Sequence, residues 1–527
     1  MANLGNNSNA GESPVGILLR AASRELYWDG ITDRHKTIFT HGLLAEVFTK
    51  SRVLSSLCFE SAESRGYSPD RCFCLIRGGG QPNELGEFGR VFALLLLCNM
   101  PQHIFRFFAH GLCDKAFPFT EGTEDGTIRS KTLDGSKEDL QLGWTSQCCE
   151  SFVTQQYRIF LPYFSEGHQR FEKDTIMPWY DYHTRTTGST SSTSASTAGG
   201  GSAPSGGHSD VSRVAIHDGY HNFNTVRGVS FKTFPCSGGR VGTYLTSYLQ
   251  APGSGHVLTF AIKKLRTTNE DVFNREVAML RSLGGKRPHT VELLATFRYA
   301  GIYSLIFPWA ECDLLAYWQR GLGQGMSGPL IIWAVSQCSG LVSALEWIHN
   351  PTTVLDPENN ELFGRHGDIK PENILWYKQN SDGLHPLASG ELVLSDFGLS
   401  SLNHKNTRSN IINGGILHTT TYAPPESVLP DNVISQSIDI WALGCVYLEF
   451  VTWIIGGPTL FGKFQSARLA PFLGSPIGND IFWEVQEFEN PGTGKSSYVT
   501  VVKPKVVEVC STNQSPAHSA MLWVTNP

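Results

Sequence analysis

The stretch that decides the fold is His366–Asn373, HGDIKPEN, taken together with Ser395–Gly398, SDFG. The first stretch places a carboxylate, a lysine and an amide within a few residues of one another. The second places a carboxylate directly after the apolar, strand-like run Glu391–Leu394. These two stretches carry the most specific signal in the sequence.

A second pair of charges lies upstream of these stretches. The run Phe260–Lys263, FAIK, predicts a short strand that ends on a lysine. Because side chains alternate along a strand, Lys263 and Lys264 should point to opposite faces. Glu276 follows in an amphipathic helix, from which it could reach Lys263 and hold it extended. On its own, such a pair would more often be two surface charges.

The order of these motifs, completed by Pro424–Glu426 (PPE), resembles the signature set of the protein kinases. The resemblance implies an α+β, bilobal fold with a small β-rich lobe and a large helical lobe. It also implies phosphoryl transfer from ATP, with Mg²⁺, to a protein substrate. The helical pattern of Ile331–His349 is typical of the large lobe.

The resemblance implies a role for each residue of the motifs. Asp368 would be the catalytic base that accepts and orients the substrate hydroxyl, and Lys370 would neutralise the transferring phosphate. Asn373 and Asp396 would be the Mg²⁺ ligands. Lys263 would bind the α- and β-phosphates, held by Glu276.

Three further residues have structural roles implied by the same resemblance. His366 and Phe397 would belong to an apolar spine that joins the lobes. Asp439, within the apolar stretch IDIWALG, would anchor the backbone of the catalytic loop. A charge among such apolar neighbours is unlike a solvated surface residue.

The adenine site is expected at Leu305–Ala310, LIFPWA, the predicted last strand of the small lobe and the hinge after it. Phe307 would be the gatekeeper at the rear of the site. Trp309 and Ala310 would lie along the edge of the adenine, which hinge backbone groups would bind.

Two segments compete for the glycine-rich loop over the phosphates. One begins at Gly206 and Gly207 and continues to Val211 and Val214, and the other is the segment 237–242, SGGRVG. Neither has the full GxGxxG pattern. We favour the first, with Gly206, Gly207 and Val211 as nucleotide-binding residues, because its valine alternation suits strands beside the loop.

The chain also resembles a group of filamentous-fungal kinases with a helical N-terminal extension. The shared features are the catalytic loop beginning His-Gly-Asp, the hinge Phe-Pro-Trp-Ala and the stretch from Gly206 to His217. We therefore expect a mainly helical N-terminal domain over 1–174. The small lobe would follow over 175–309 with a Ser/Gly-rich insertion at 184–207, and the large lobe over 310–527 would have an atypical C-terminal end.

Composition and charge argue against nucleic-acid-binding and membrane-binding functions. The 527 residues are 40% hydrophobic and carry 42 Lys and Arg against 48 Asp and Glu, a net charge of −6. This balance gives no general attraction to nucleic acid or anionic membranes, so we expect neither as a partner. The N-terminus lacks a secretory pattern, and the apolar stretch Val91–Met100 is too short to cross a bilayer. Scattered cysteines without paired CxxC motifs favour reduced thiols in a soluble protein of the cytoplasm or nucleus.

Some positions leave alternatives open. Lys370 and Thr419 favour Ser/Thr over Tyr as the acceptor. Gly367 stands where many kinases have an arginine that pairs with a phosphorylated activation loop, so this chain lacks the usual phosphate receptor. The context of Arg468 does not match the arginine that normally pairs with the Pro-Pro-Glu glutamate, Glu426. The alternative function is a pseudokinase-like ATP-binding scaffold with little turnover.

Overall fold

The computed structural model describes the chain in segments that include the predicted motifs. The described residues are 15–17, 19, 39, 41–60, 64, 66–78, 85–131, 139–181, 209–217, 220–223, 257–283, 287–320, 327–350, 362–378, 390–397, 401–404, 420–427, 435–472, 475–489 and 496–512. Within them α-helices and β-strands are mixed, as the sequence predicts.

The N-terminal region is built around a helical core. Its helices are α1 (His41–Val47), α2 (Lys50–Ser55), α3 (Pro69–Arg77), α4 (Gly89–Leu97), α5 (Ile104–Ala109) and α6 (Ser146–Ile159). Helix α4 is apolar and almost wholly buried except for Arg90, so it forms the centre of this core. The side chains of Ser68 and Thr145 cap α3 and α6 by accepting backbone N–H bonds.

A small sheet accompanies these helices. Strands β1 (Phe119–Glu121), β2 (Thr127–Ser130) and β3 (Leu140–Gln141) pair in that order and are antiparallel. The buried Gln156 amide on α6 donates to the Phe119 carbonyl and accepts from its N–H, which ties the helix to β1. A mainly helical composition was expected here, and this sheet is an addition to it.

A six-stranded sheet follows, in the order β4-β8-β9-β7-β6-β5. Its strands are β4 (His168–Phe171), β5 (Trp179–Asp181), β6 (Ser209–His217), β7 (Val257–Leu265), β8 (Ala295–Tyr299) and β9 (Ile302–Pro308). Helix α7 (Glu270–Leu283) connects β7 to β8. Strand β4 pairs in parallel with β8, whereas the other pairs are antiparallel.

The sheet begins earlier in the chain than predicted. We placed the start of the small lobe at residue 175, but β4 lies before that point, and Leu161 and Phe164 belong to the core of the sheet. The expected boundary therefore divides the sheet. A four-residue strand with the pattern HQRF has no apolar alternation from which its pairing could be predicted.

The remaining elements surround a larger core that also contains one face of α7. They are β10 (Cys312–Asp313), α8 (Leu314–Gln319), α9 (Gly328–His349), β11 (Leu362–Arg365), β12 (Ile374–Tyr377), β13 (Glu391–Leu394), β14 (Ser401–His404), α10 (Ser437–Arg468), β15 (Ala470–Phe472), β16 (Ser475–Asn479), β17 (Trp483–Glu489), β18 (Ser496–Val502) and α11 (Pro504–Thr512). Helix α10 is interrupted at Gly457, which has φ 62° and precedes Pro458. The predicted atypical end therefore consists of hairpins β15–β16 and β17–β18 and helix α11 in its described part.

Two helices, α9 and α10, are long and apolar enough to cross a membrane by length and composition. Both are longer than Val91–Met100, the stretch expected to be the longest apolar run, and neither was predicted as a candidate span. Both helices contribute side chains to the larger core, and α10 carries the buried carboxylates of Asp439 and Glu449. Core helices of soluble proteins pass the same test, so the finding is a weak indication of a membrane span.

Candidate active site

The loop that carries Asp368 is held by a buried carboxylate from α10. Asp439 accepts the backbone N–H of His366 and that of Gly367, each at 2.8 Å, and His349 Nε2 lies 2.9 Å from its Oδ2. Hydrogen bonds to the charged form outweigh burial and keep the pKa of Asp439 low. The predicted anchoring contact of Asp439 is present. The contribution of His349 was not predicted, because a histidine in the last turn of a helix has no distinguishing pattern.

The backbone conformation at position 367 favours glycine. Its φ is 87°, in the left-handed region, and its N–H faces Asp439. A residue with a Cβ would be strained here by roughly 1–2 kcal/mol. Gly367 was predicted only to remove a cation, and this conformational requirement was not predicted.

A buried arginine precedes the loop. Arg365 ends β11, where its backbone pairs with Ser401 of β14, and its Nε has no hydrogen-bond partner in the described chain. Burial lowers the pKa of Arg365, and the charge of Asp439 opposes that effect. A cation therefore lies near the catalytic loop, although not at the position of Gly367.

Three side chains of the catalytic loop meet. Asn373 Nδ2 donates to the Asp368 carbonyl at 2.8 Å and to Asp368 Oδ2 at 2.9 Å. Lys370 Nζ lies 2.8 Å from the same Oδ2. The 3-10 turn Pro371–Asn373 produces this convergence by folding the amide back toward the carboxylate. Asp368 is therefore fixed in orientation beside the mostly buried ammonium of Lys370, the arrangement expected of a group that orients a hydroxyl.

Lys263 lies between two carboxylates. Its Nζ is 2.9 Å from Glu276 Oε1 and 2.7 Å from Asp396 Oδ1. Burial disfavours the ammonium, but Asp396 and Glu276 together outweigh burial and raise the pKa of Lys263. The lysine is therefore charged at neutral pH, and it links α7 to the segment after β13. Lys264 is exposed, as alternation along the strand predicts.

Asp396 occupies an unusual backbone position after β13. It has φ 61°, and its side chain is 47% exposed, so its carboxylate can be approached from solvent. Phe397 is buried with its ring 5.1 Å from that of His366, and His366 Nε2 bonds the Ser395 carbonyl at 3.0 Å. Burial lowers the pKa of His366, so its ring is neutral at pH 7. Gly398 lies outside the described residues.

The predicted adenine-site residues lie beside the Lys263 strand. Phe307 is buried in β9 opposite Ala261 of β7, and Trp309 and Ala310 follow the strand partly exposed. The Arg213 guanidinium lies 5.0 Å from the centre of the Trp309 ring. An aromatic edge and open backbone are therefore available where the hinge is expected.

The sheet topology bears on the two glycine-rich candidates. Strand β6 lies between β5 and β7, and exposed Val211 of β6 is opposite Lys263 in the register. Gly206 and Gly207 come directly before β6, in the connection between β5 and β6, but they lie outside the described residues. The competing segment 237–242 also lies outside them, in the connection between β6 and β7.

Oxygen ligands for a cation are present in this region. The half-exposed carboxylate of Asp396 and the amide of Asn373 are the types of donor that Mg²⁺ prefers. Within the described segments no three or more His, Cys, Asp and Glu side chains form a group able to hold a metal ion. Mg²⁺ commonly takes one or two protein ligands and completes its shell with water and substrate phosphates, so the two predicted residues fit that mode.

Comparison with known proteins agrees with the geometry. A sequence model described as the protein kinase domain matches residues 249–458, which include Lys263, Glu276, Asp368 and Asp396. The chain contains a protein kinase domain. Strands β4–β6 and everything after residue 458 lie outside the match.

Several of the similar curated proteins are kinases named as cyclin-dependent or cyclin-dependent-like. Cyclin-dependent kinase-like 4 of Mus musculus is 29% identical over 227 residues, which are 41% of this chain and 54% of that protein. Probable cyclin-dependent kinase 8 of Dictyostelium discoideum is 26% identical over 41% of this chain and 56% of its own length. Cyclin-dependent kinase 14 of Callithrix jacchus is 26% identical over 46% and 51%. The chain spans about half the length of these relatives. The predicted kinase domain is confirmed by the match over 249–458.

Proposed function

We propose that the chain is a bilobal Ser/Thr protein kinase that transfers the γ-phosphate of ATP to hydroxyl groups of a protein substrate. The observation that carries the proposal is the position of Lys263, whose ammonium joins Glu276 to Asp396 in the matched domain. Such a lysine is placed to meet the α- and β-phosphates and is kept charged by its neighbours.

The proposed division of roles follows from the contacts. Asp368 orients the acceptor hydroxyl and accepts its proton, and Asn373 holds the Asp368 carboxylate in place. Lys370, bound to the same carboxylate, is close enough to neutralise charge on the transferring phosphate. Asp396 and Asn373 would hold Mg²⁺, which neutralises phosphate charge when bound.

The proposed nucleotide site lies between the sheet and the catalytic loop. Phe307, Trp309 and Ala310 would contact adenine, and Val211 would cover the nucleotide from the strand opposite Lys263. Gly206 and Gly207 would form the loop over the phosphates, since they precede the strand beside the Lys263 strand. Membership of the filamentous-fungal group, a helical N-terminal domain and a soluble intracellular location belong to the same proposal.

The proposal is tested by phosphate transfer to a mixed Ser/Thr and Tyr peptide library with ATP and Mg²⁺. The wild-type chain should label Ser and Thr peptides, and Asp368→Asn should reduce the rate by about 10²- to 10⁴-fold while ATP binding is retained. Equal rates in the wild type and in Asp368→Asn would show that Asp368 is not the catalytic base. ATP binding without transfer by the wild type would favour a scaffold instead.

A further inference from the structure

The inference concerns the segment that precedes the matched kinase domain. Residues 161–181 cross the edge of the six-stranded sheet and supply β4, which pairs in parallel with β8. The backbone N–H of Thr296 donates to the Gly167 carbonyl at 3.0 Å, and Phe164 is fully buried in the core of the sheet. This segment is therefore an integral part of the sheet and covers a strand edge that would otherwise be open.

The same segment reaches α7 through an aromatic contact. The His168 ring lies 5.0 Å from the Phe273 ring on α7, and Phe273 stacks on Tyr303 of β9 at 4.3 Å. His168 is also tied to β8, because its Nδ1 lies 3.0 Å from Thr296 Oγ1 on that strand. His168 is exposed on its strand, and its ring contacts α7 through Phe273 at the margin of the core.

A second contact is ionic and lies at the start of α7. Arg170 Nη2 is 3.1 Å from Glu270 Oε1, and both side chains are mostly exposed, at 65% and 53%. Glu270 also lies in the first helical turn, where a carboxylate is favoured by the helix dipole. The pair restrains the N-terminal end of α7 relative to β4.

Both contacts bear on the position of Glu276. Glu270 and Glu276 are six residues apart on one helix, about 9 Å along its axis. Because a helix moves as a rigid unit, a shift at its first turn displaces the carboxylate that meets Lys263 at 2.9 Å. The distance between these two groups decides whether Lys263 is held in the position required for phosphate binding.

We propose that His168 and Arg170 are positioning residues that hold α7 in the arrangement in which Glu276 meets Lys263. This role in catalysis rests on the proposed kinase function. The segment before the matched domain thus supports the catalytic lysine from within the same chain. It acts through packing and one exposed ion pair, without touching the nucleotide.

The ion pair is tested by charge reversal in the full chain. Arg170→Glu and Glu270→Arg should each lower the rate of peptide phosphorylation about threefold to fivefold, the range expected for an exposed pair replaced by repulsion. Combining the two changes should restore the rate. Amide hydrogen exchange over 270–283 should rise in each single variant and return in the double variant.

Lys505→Glu is the matched control. Lys505 pairs with Glu508 on α11 at similar exposure, 61% and 54%, and far from α7 in the sequence. It should leave phosphorylation and α7 exchange unchanged. Single variants that behave like Lys505→Glu, or a double variant that adds the two defects, would overturn the role of the pair.

The aromatic contact is tested separately. His168→Ala should slow phosphorylation and loosen α7, whereas His168→Phe should retain most of both, since it keeps a ring against Phe273. Equal behaviour of the two variants would contradict the proposal. If the wild type transfers no phosphate, the proposed function fails, but the exchange of α7 amides still decides whether His168 and Arg170 hold the helix.

Discussion

Two arginine–carboxylate pairs, one between β4 and α7 and one within α10, differ in almost every physical respect. Arg170 meets Glu270 at 3.1 Å with both side chains largely in solvent. Arg468 meets Glu449 at 2.6 Å with both side chains at 0% exposure. Exposed pairs contribute little and are screened by salt, whereas breaking a buried pair leaves a charge that the interior cannot solvate.

The buried pair belongs to a network that holds the segment Thr420–Ser427, the end of the predicted activation segment. Glu449 accepts from the Tyr422 hydroxyl at 2.9 Å, and Arg468 lies over the rings of Phe464 and Phe482 at 4.5 and 4.0 Å. Three members of this network, Glu449, Phe464 and Arg468, lie on α10, and Tyr422 and Phe482 contact them from other segments. Arg468 therefore pairs with Glu449 and not with Glu426. This pairing agrees with the expectation that its sequence context does not match the arginine that normally pairs with the Pro-Pro-Glu glutamate.

The difference shows that α7 and the segment Thr420–Ser427 are held by contacts of different energetic weight. The segment Thr420–Ser427 is fixed by buried groups, namely Tyr422, Glu449 and Arg468. Helix α7 is held in part by the exposed pair Arg170–Glu270. A change in the exposed pair should therefore appear in activity, and a change in the buried pair should appear first in stability.

The largest expected effect is that of Arg468→Met. Burial already raises the pKa of Glu449, and Arg468 opposes that rise, so the variant must leave Glu449 uncompensated or protonate it. We expect the free energy of unfolding to fall by roughly 3–5 kcal/mol, measured by urea unfolding. Adding Glu449→Leu should recover most of the loss. A loss below about 1 kcal/mol would show that the pair does not secure this end of the domain.

A smaller effect is expected at Trp483, in the hairpin beyond the matched domain. Its Nε1 donates to the Ala423 carbonyl at 2.9 Å, and the ring is buried. Trp483→Phe removes the donor, and a buried unpaired carbonyl should reduce stability by about 1–3 kcal/mol. Because Ala423 lines the same cavity as Asp368, the proposed catalytic base, KM for peptide should rise while KM for ATP stays constant. Parallel changes in both KM values would contradict this link.

The pH dependence of stability tests the core beneath the catalytic loop. The folded pKa of His366 lies below 6.5, so folding is favoured above pH 6.5, and that contribution is lost as the pH falls toward the folded value. Wild type should lose stability by up to about 1.4 kcal/mol per pH unit below 6.5 from this one group. The slope should be smaller in His366→Phe, measured by urea unfolding between pH 5 and pH 7. Identical slopes would mean that His366 protonates equally in both states.

The smallest effect on stability is expected for Arg170→Ala. Removing one member of an exposed pair should change the free energy of unfolding by less than about 1 kcal/mol. Phosphorylation should nevertheless fall in this variant. A stability loss as large as that of Arg468→Met would abolish the contrast between the two pairs.

Much of the candidate site could be predicted because its residues lie in short local motifs. The positions of Lys263, Asp368 and Asp396 follow from strand and loop patterns that span only a few residues. Neither β4 nor the pairing of Arg468 could be predicted in this way. A short polar strand and a lone arginine have no periodicity. The partner of β4 is more than a hundred residues away, and Arg468 meets Glu449 across the interruption of α10 at Gly457.

The glycine at position 367 shows a different limit. Its residue type was noted as a missing cation, but its left-handed φ depends on the backbone bonds to Asp439, which are tertiary contacts. A pattern in one sequence does not distinguish a glycine required by conformation from one that replaces another side chain.

The central claim is that Lys263 positions phosphate for transfer, and the most direct measurement compares Lys263→Met with Lys264→Met. The two lysines are neighbours on β7, one between Glu276 and Asp396 and the other exposed to solvent. With ATP, Mg²⁺ and Ser/Thr peptides, Lys263→Met should lose transfer by at least about 10²-fold while circular dichroism shows the chain still folded, and Lys264→Met should match the wild type. Equal activity in the two variants would contradict the account.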